Sequence, residues 1–166
     1  MQPHALPTSQ TPPNVQPRLL VEYLAVPYTD PVPAVQRARY MAVTHAAAKL
    51  WAAGQMVFSP ITHSHPIKLA GNLSGSWDDY AAYDTFVIQN LCSGVCLLTL
   101  LGWESSVGVR AELKLAEELG LPVRRLDPED VGLTRSYPYF YGCKECWRPR
   151  AAAGQPLCPE CLKYPN

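Results

Sequence analysis

Four short apolar segments along the chain predict β-strands. They are Leu19–Val26, Met56–Ser59, Val95–Leu101 and Pro122–Leu126. The first three are nearly continuous runs of hydrophobic residues, the fourth is short and contains two arginines, and proline follows the first two. Continuous rather than alternating hydrophobicity is typical of strands that are covered on both faces, as in a parallel sheet.

Three longer segments predict helices between these strands: Ala34–Ala53, Trp77–Leu91 and Val109–Leu119. Thr29 and Asp30 offer N-caps for the first helix, and Gly54 and Gly120 follow the first and third as stop signals. Ile61–Ser76 is polar and predicts a loop. Strands that alternate with helices predict a Rossmann- or flavodoxin-like α/β fold, with a parallel sheet of about four to five strands and flanking helices.

Composition divides the chain into three parts. Residues 1–18 predict a disordered leader, because Met1–Pro17 is rich in Pro, Gln and Thr and contains no Lys, Arg, Asp or Glu. Residues 19–127 contain the predicted strands and helices. Residues 128–166 combine a linker with a small cysteine module.

The charge balance makes some partners unlikely on physical grounds. Fourteen Lys and Arg residues balance fourteen Asp and Glu residues, so electrostatics predict neither a nucleic-acid nor a membrane partner. Val95–Leu101 is the longest apolar run and is too short to span a bilayer. Met1–Pro17 has no feature of an export signal. We therefore expect a soluble, cytoplasmic protein with reduced thiols.

The cysteine module predicts a zinc site. Cys143, Cys146, Cys158 and Cys161 form two Cys-x2-Cys pairs, and eleven residues separate the pairs. Two thiolate pairs at this spacing can close a tetrahedral Zn–S4 site. Disulfides and a redox Cys-x2-Cys are the alternatives. Four thiolates leave no open coordination position, so we expect a structural Zn²⁺ and no organic cofactor.

Candidate chemistry lies between the third strand and the third helix. Ligands of parallel α/β sheets bind beyond the carboxyl ends of the strands, and Gly102–Gly108 follows such an end. A helix N-terminus after a glycine-containing turn offers backbone N–H groups to an anion, and Ser106 adds a hydroxyl. Glu112 lies on the first turns of the helix. It either faces the ligand or is a solvated surface residue.

Four segments between Leu20 and Val123 carry a resemblance to a known family. They are Tyr23–Tyr28 (YLAVPY), Phe58–Pro66 (FSPITHSHP), Trp77–Asp84 (WDDYAAYD) and Gly102–Glu112 (GWESSVGVRAE). Together they resemble the nucleoside 2-deoxyribosyltransferase-like superfamily, closest to a phage and bacterial branch of small domains. The last segment is also similar to the S-x-G-x-x-x-E segment of 2′-deoxynucleoside 5′-monophosphate N-hydrolases.

The resemblance implies roles for individual residues. Glu112 would be the catalytic carboxylate, and Ser106 with Gly108 would hold a 5′-phosphate. Asp84 fits an aspartate that contacts the sugar or base, and Tyr28 fits a tyrosine near the end of the first strand, so both are candidate catalytic residues beside Glu112. The resemblance also implies a homo-oligomer that binds a small-molecule nucleotide or nucleoside.

Five further residues are candidates for contacting the substrate: Pro27, His63, His65, Trp77 and Trp103. The two histidines could instead bind a metal or belong to an ordinary loop, and the tryptophans could simply pack in the core. The chain departs from the N-hydrolases at Pro27–Asp30, where those enzymes carry a loop with Gly and Arg. Arg37 could meet a phosphate or lie in solvent.

The expected reaction is cleavage of a base–sugar bond through an oxocarbenium-like transition state. Glu112 would stabilise or capture the cation, and Asp84, or else His63 or His65, would protonate the leaving base. Water as the acceptor gives hydrolysis of a (deoxy)nucleoside 5′-monophosphate, which Ser106 favours. A second base as the acceptor gives deoxyribosyl transfer. A non-catalytic nucleotide sensor and an NAD- or ADP-ribose-cleaving enzyme are the rival interpretations.

Overall fold

The computed structural model describes residues 20–133 and confirms the parallel α/β fold class. The strands are β1 (Val21–Ala25), β2 (Met56–Phe58), β3 (Gly94–Leu98) and β4 (Val123–Leu126). They form one parallel sheet in the order β2-β1-β3-β4. In this sheet Tyr23 pairs with Phe58 on one side and with Val95 on the other. The carboxyl ends of β1 and β3 therefore lie side by side at the centre of the sheet.

Helices cover both faces of the sheet, because the central strands β1 and β3 place apolar residues on both sides. On one face α1 (Pro33–Ala52) packs over Leu24 and Leu98. On the other face α3 (Trp77–Leu91) and α4 (Val107–Glu118) pack over Tyr23 and Leu97. The side chains of successive strand residues thus point into cores on opposite faces of the sheet, as the pleat of a strand requires.

The structure has a helix where the sequence predicted a loop. Most of Ile61–Ser76 belongs to α2 (Pro60–Gly71), so the loop prediction was wrong. The Ser59 side chain caps this helix by accepting a hydrogen bond from the Thr62 backbone N–H at 3.3 Å, and Pro60 fills its first turn. Pro66 lies inside the helix, which is why the sequence did not suggest one.

The ends of the first helix and of the described chain also differ from expectation. Neither Thr29 nor Asp30 caps α1. Val32 occupies the N-cap position, and the Asp30 carboxylate accepts a hydrogen bond from the Val32 N–H at 2.9 Å in the preceding turn. Beyond β4, Val131 and Leu133 pack into the same core as α1. The packed structure therefore extends into the segment that was expected to be a linker.

Two predicted regions lie outside the described residues: the leader, residues 1–18, and the cysteine module with Cys143, Cys146, Cys158 and Cys161. Within residues 20–133, no group of three or more His, Cys, Asp or Glu side chains is placed to hold a metal ion. No helix in that range has both the length and the apolar character needed to cross a membrane.

Candidate active site

A cleft of about 550 Å³ opens beyond the carboxyl ends of β1 and β3. Its walls come from residues 26–30 after β1, from the turn between β3 and α4, and from the first half of α3. This is the position at which parallel α/β sheets bind ligands, because the loops that follow neighbouring strands meet there.

Two buried carboxyl groups face this cleft. Glu112 on α4 is 5% exposed and Asp84 on α3 is 6% exposed. The Tyr23 hydroxyl donates a hydrogen bond to Glu112 Oε1 at 2.8 Å. Glu112 Oε2 is buried and has no hydrogen-bond partner among residues 20–133. One carboxylate oxygen is thus held by Tyr23, while the other has no partner in the described part of the chain.

Burial perturbs the acidity of both carboxyl groups. It raises the pKa of Glu112 from 4.5 to about 8, against the opposing effect of the Tyr23 hydrogen bond. It raises the pKa of Asp84 from 3.8 to about 6, again opposed by Tyr23. Because removal from water penalises the charged form, the pair retains a proton near neutral pH. A pair that holds one proton can supply both an acid and an anion.

The N-terminus of α4 forms a second wall of the cleft. Ser106 is its N-cap, and the Ser106 hydroxyl accepts a hydrogen bond from the Val109 N–H at 3.4 Å. The N–H groups of Val107 and Gly108 lie in the first turn, where no helical carbonyl can reach them. A Cβ on Gly108 would lie 3.2 Å from the Trp77 ring, so this glycine lets the indole pack against the helix.

The other predicted site residues fall into two groups. Pro27, Tyr28 and Trp77 line the cleft, but His63, His65 and Trp103 do not. His63 is exposed and stacks on Tyr83, with ring centroids 5.4 Å apart. Trp103 packs against the α3–α4 core. His65 is buried behind Tyr28, whose hydroxyl lies 2.7 Å from His65 Nδ1.

Three residues of the site were not identified from the sequence: Arg39 and Tyr80, which line the cleft, and Tyr23, which is buried behind it and bonds to Glu112. Tyr23 could have been identified from the sequence, because a tyrosine in a buried aliphatic strand needs a hydrogen-bond partner for its hydroxyl. Arg39 is two residues from Arg37, the predicted candidate for a phosphate contact, and Arg37 itself is exposed. Tyr80 precedes Asp84 by one helical turn, and its hydroxyl is buried without a partner in the described part of the chain.

Arg39 connects the two loops that form the cleft. Its guanidinium donates to the backbone carbonyls of Tyr28, Thr29 and Leu101 at 3.2, 2.8 and 3.3 Å. It also lies 3.6 Å from the Asp30 carboxylate. The described lining contains this one basic residue and four acidic ones, namely Asp30, Asp78, Asp84 and Glu112. The one guanidinium is already engaged by the protein.

The comparison with protein families covers this whole site. Residues 21–127 match the family described as "Domain of unknown function (DUF1937)". The matched range contains β1 to β4 and every cleft residue described above. No curated protein matches the chain.

Proposed function

We propose that this chain, which belongs to the DUF1937 family, cleaves the base–sugar bond of a (deoxy)nucleoside 5′-monophosphate. The observation that carries the proposal is Glu112, whose Oε1 is fixed by Tyr23 while its buried Oε2 is unpaired at the cleft. A buried polar atom without a partner costs free energy and needs an explanation. The resemblance of Gly102–Glu112 to the nucleoside 2-deoxyribosyltransferase-like superfamily supports the same role.

The proposed mechanism uses the carboxyl pair with one proton. Glu112 has the higher pKa, so the proton rests mainly on Glu112, and the reactive form is the one in which this proton has moved to Asp84. From that form Asp84 gives its proton to the base nitrogen as the C1′–N bond breaks and the bonding electrons move to the base. Glu112, ionised, stabilises the developing cation through Oε2 or bonds to C1′. Water then attacks C1′ and loses a proton to the pair, which restores the starting state. Tyr23 stays protonated throughout and holds Glu112 in place, because burial and Glu112 raise its pKa well above 10.

The N-terminus of α4 is the proposed site for the 5′-phosphate. The backbone N–H groups of Val107 and Gly108 and the Ser106 hydroxyl are the donors that would contact it. This helix end lies in the same cleft as the carboxyl pair. Base release should therefore fall when the phosphate is removed from the substrate.

A second candidate is a nucleoside 2-deoxyribosyltransferase that uses unphosphorylated nucleosides. The observation that favours it is the charge of the cleft, because four acidic residues oppose one guanidinium that is already bonded. Such a lining repels a phosphate dianion more than a neutral nucleoside. The predicted zinc site and homo-oligomer are independent of this choice and stay predictions.

A single assay separates these possibilities. Purified protein is incubated with deoxynucleosides, their 5′-monophosphates and NAD, with and without a free acceptor base, and released base is measured by chromatography. We expect Glu112→Gln to lower base release at least ~100-fold. Glu117→Gln, at an exposed position on the same helix, is the matched control. Equal rates for wild type and Glu112→Gln would end the enzyme proposal, and nucleotide binding without base release would favour a sensor.

A further inference from the structure

Two tyrosine hydroxyls in the cleft wall are separate from the carboxyl pair. Tyr80 lies one turn before Asp84 on α3, so the two side chains lie on the same helix face about 5–6 Å apart at Cβ. The Tyr80 hydroxyl is buried and has no hydrogen-bond partner within residues 20–133. Tyr80 lines the cleft. Its O–H group is therefore a donor in need of an acceptor, next to the proposed reaction centre.

Tyr28 supplies the second hydroxyl, and His65 fixes its direction. His65 is 8% exposed and stacks on Tyr40 with ring centroids 4.1 Å apart, which prevents the imidazole from turning away. Burial lowers the pKa of His65, and the charges of Lys68 and Arg37 lower it further, so the imidazole is neutral at neutral pH. Tyr28 lines the same cleft as Tyr80, and burial, with a smaller contribution from Tyr80, raises the pKa of Tyr28 to about 12, so both hydroxyls stay protonated at neutral pH.

The direction of the Tyr28–His65 hydrogen bond depends on the imidazole tautomer. The Tyr28 oxygen lies 2.7 Å from Nδ1, and a neutral imidazole carries its one proton on either Nδ1 or Nε2. When the proton is on Nε2, Tyr28 donates to Nδ1, and the Tyr28 oxygen keeps acceptor lone pairs for the cleft. In that tautomer Tyr80 offers a donor and Tyr28 an acceptor to the same cleft.

We propose that Tyr80 and Tyr28 form a base-recognition pair, in which Tyr80 donates to a ring nitrogen of a nucleobase and Tyr28 accepts from its neighbouring amino group. His65 is a positioning residue, because it determines that Tyr28 accepts. The ligand class is an amino-substituted purine or pyrimidine. This inference rests on the proposed function, since a C1′ atom at Glu112 would place the base within reach of the next turn of α3.

The test uses bases that contain no cleavable bond, so that binding is measured apart from chemistry. Binding of 9-methyladenine and 9-methylpurine to the full chain is measured by titration with ligand-detected NMR. The pair 1-methylcytosine and 1-methylpyrimidin-2-one tests the pyrimidine series. We expect wild type to bind at least one amino-bearing compound ~10-fold or more tightly than its partner without the amino group.

The variants assign the contacts. Tyr28→Phe should reduce the ratio of the two affinities to near one, whereas Tyr80→Phe should weaken the binding of both compounds ~10-fold. His65→Phe keeps a ring against Tyr40 but should lose the discrimination, and His65→Asn, whose Oδ1 can replace Nδ1 as acceptor, should restore it. Tyr83→Phe is the control, because Tyr83 is exposed on the same helix and does not line the cleft.

Each result decides the proposal. It is overturned if wild type binds neither pair, if wild type does not distinguish within them, or if Tyr28→Phe keeps the wild-type ratio while thermal unfolding shows a folded protein. If wild type releases base but Tyr28→Phe keeps the wild-type ratio of the two affinities, the recognition pair is refuted and the N-glycosidase proposal stands. If the discrimination depends on Tyr28 but no nucleotide releases its base, the N-glycosidase proposal is refuted and the recognition pair stands.

Discussion

Replacing Glu112 with Gln should stabilise the protein at neutral pH while removing its activity. Burial raises the pKa of Glu112 from 4.5 to about 8, so between these values the folded chain keeps a proton that the unfolded chain has released. Stability therefore falls as pH rises through this window, by about 1.4 kcal/mol per pH unit. Below the window both states are protonated, and the group then contributes no pH dependence.

The magnitude at pH 7 follows from the same linkage. Ionisation of the unfolded state alone favours unfolding by about 3 kcal/mol at that pH. Gln cannot ionise, so the variant avoids this loss, and its carbonyl oxygen can still accept the hydrogen bond from Tyr23. If Glu112→Gln raises the free energy of unfolding by this amount and also abolishes base release, then Glu112 serves activity at the expense of stability.

Urea unfolding at pH 5 and pH 7.5 measures the effect directly. The stability difference between Glu112→Gln and wild type should widen by about 3 kcal/mol between these two pH values. Glu117→Gln, exposed on the same helix, should follow wild type at both. If the stabilities of Glu112→Gln and wild type change in parallel with pH, the buried carboxyl does not hold the proton that the reasoning requires.

Four further predictions follow from the site and the cysteine module. Wild-type kcat/KM should be bell-shaped in pH, rising near 6 and falling near 8, because one proton is shared between Asp84 and Glu112; a flat profile would refute this. Tyr23→Phe should lower base release roughly 10- to 100-fold. It should also move the falling limb to higher pH, since the Tyr23 hydrogen bond lowers the pKa of Glu112, and an unmoved limb would argue against that contact. Gly108→Ala adds a Cβ 3.2 Å from the Trp77 ring and should raise KM several-fold; an unchanged KM would show that the indole does not contact substrate. Metal analysis should find one zinc per chain, and a chelator should loosen the segment beyond residue 137 before base release falls; loss of turnover with an intact fold and oligomer would contradict a structural role.

The strands and three of the helices could be predicted from the sequence because their signals are local. Each central strand is a run of apolar residues, and α1, α3 and α4 combine sufficient length with recognisable start or stop residues. Helix α2 lacked such a signal. It contains Pro66 and presents few apolar residues to the core, so its stability depends on the Ser59 cap and on tertiary packing.

The candidate site was predictable only where one segment contains it. Ser106 and Glu112 lie on one helix, so their spacing alone suggested a shared cleft. The hydrogen bond from Tyr23 to Glu112 joins residues 89 positions apart, and Tyr28 meets His65 across 37 positions. Such contacts depend on strand order and on the rotational phase of each helix. Ile61–Ser76 was expected to be a loop, so nothing in the sequence indicated that helix α2 would place His65 behind Tyr28 rather than in the substrate pocket.

The two outer strands limit how copies of this protein could assemble. Within the described residues β2 and β4 form the sheet edges; β2 has three residues, and β4 carries Arg124 and Arg125 in its four. Short strands and charged side chains discourage edge-to-edge pairing between molecules. A sheet that continues from one subunit into the next is therefore disfavoured in this domain. Among the surfaces of residues 20–133, the helical ones therefore suit the homo-oligomer implied by the family resemblance better than the sheet edges, and α3 exposes Tyr83 and Phe86 there.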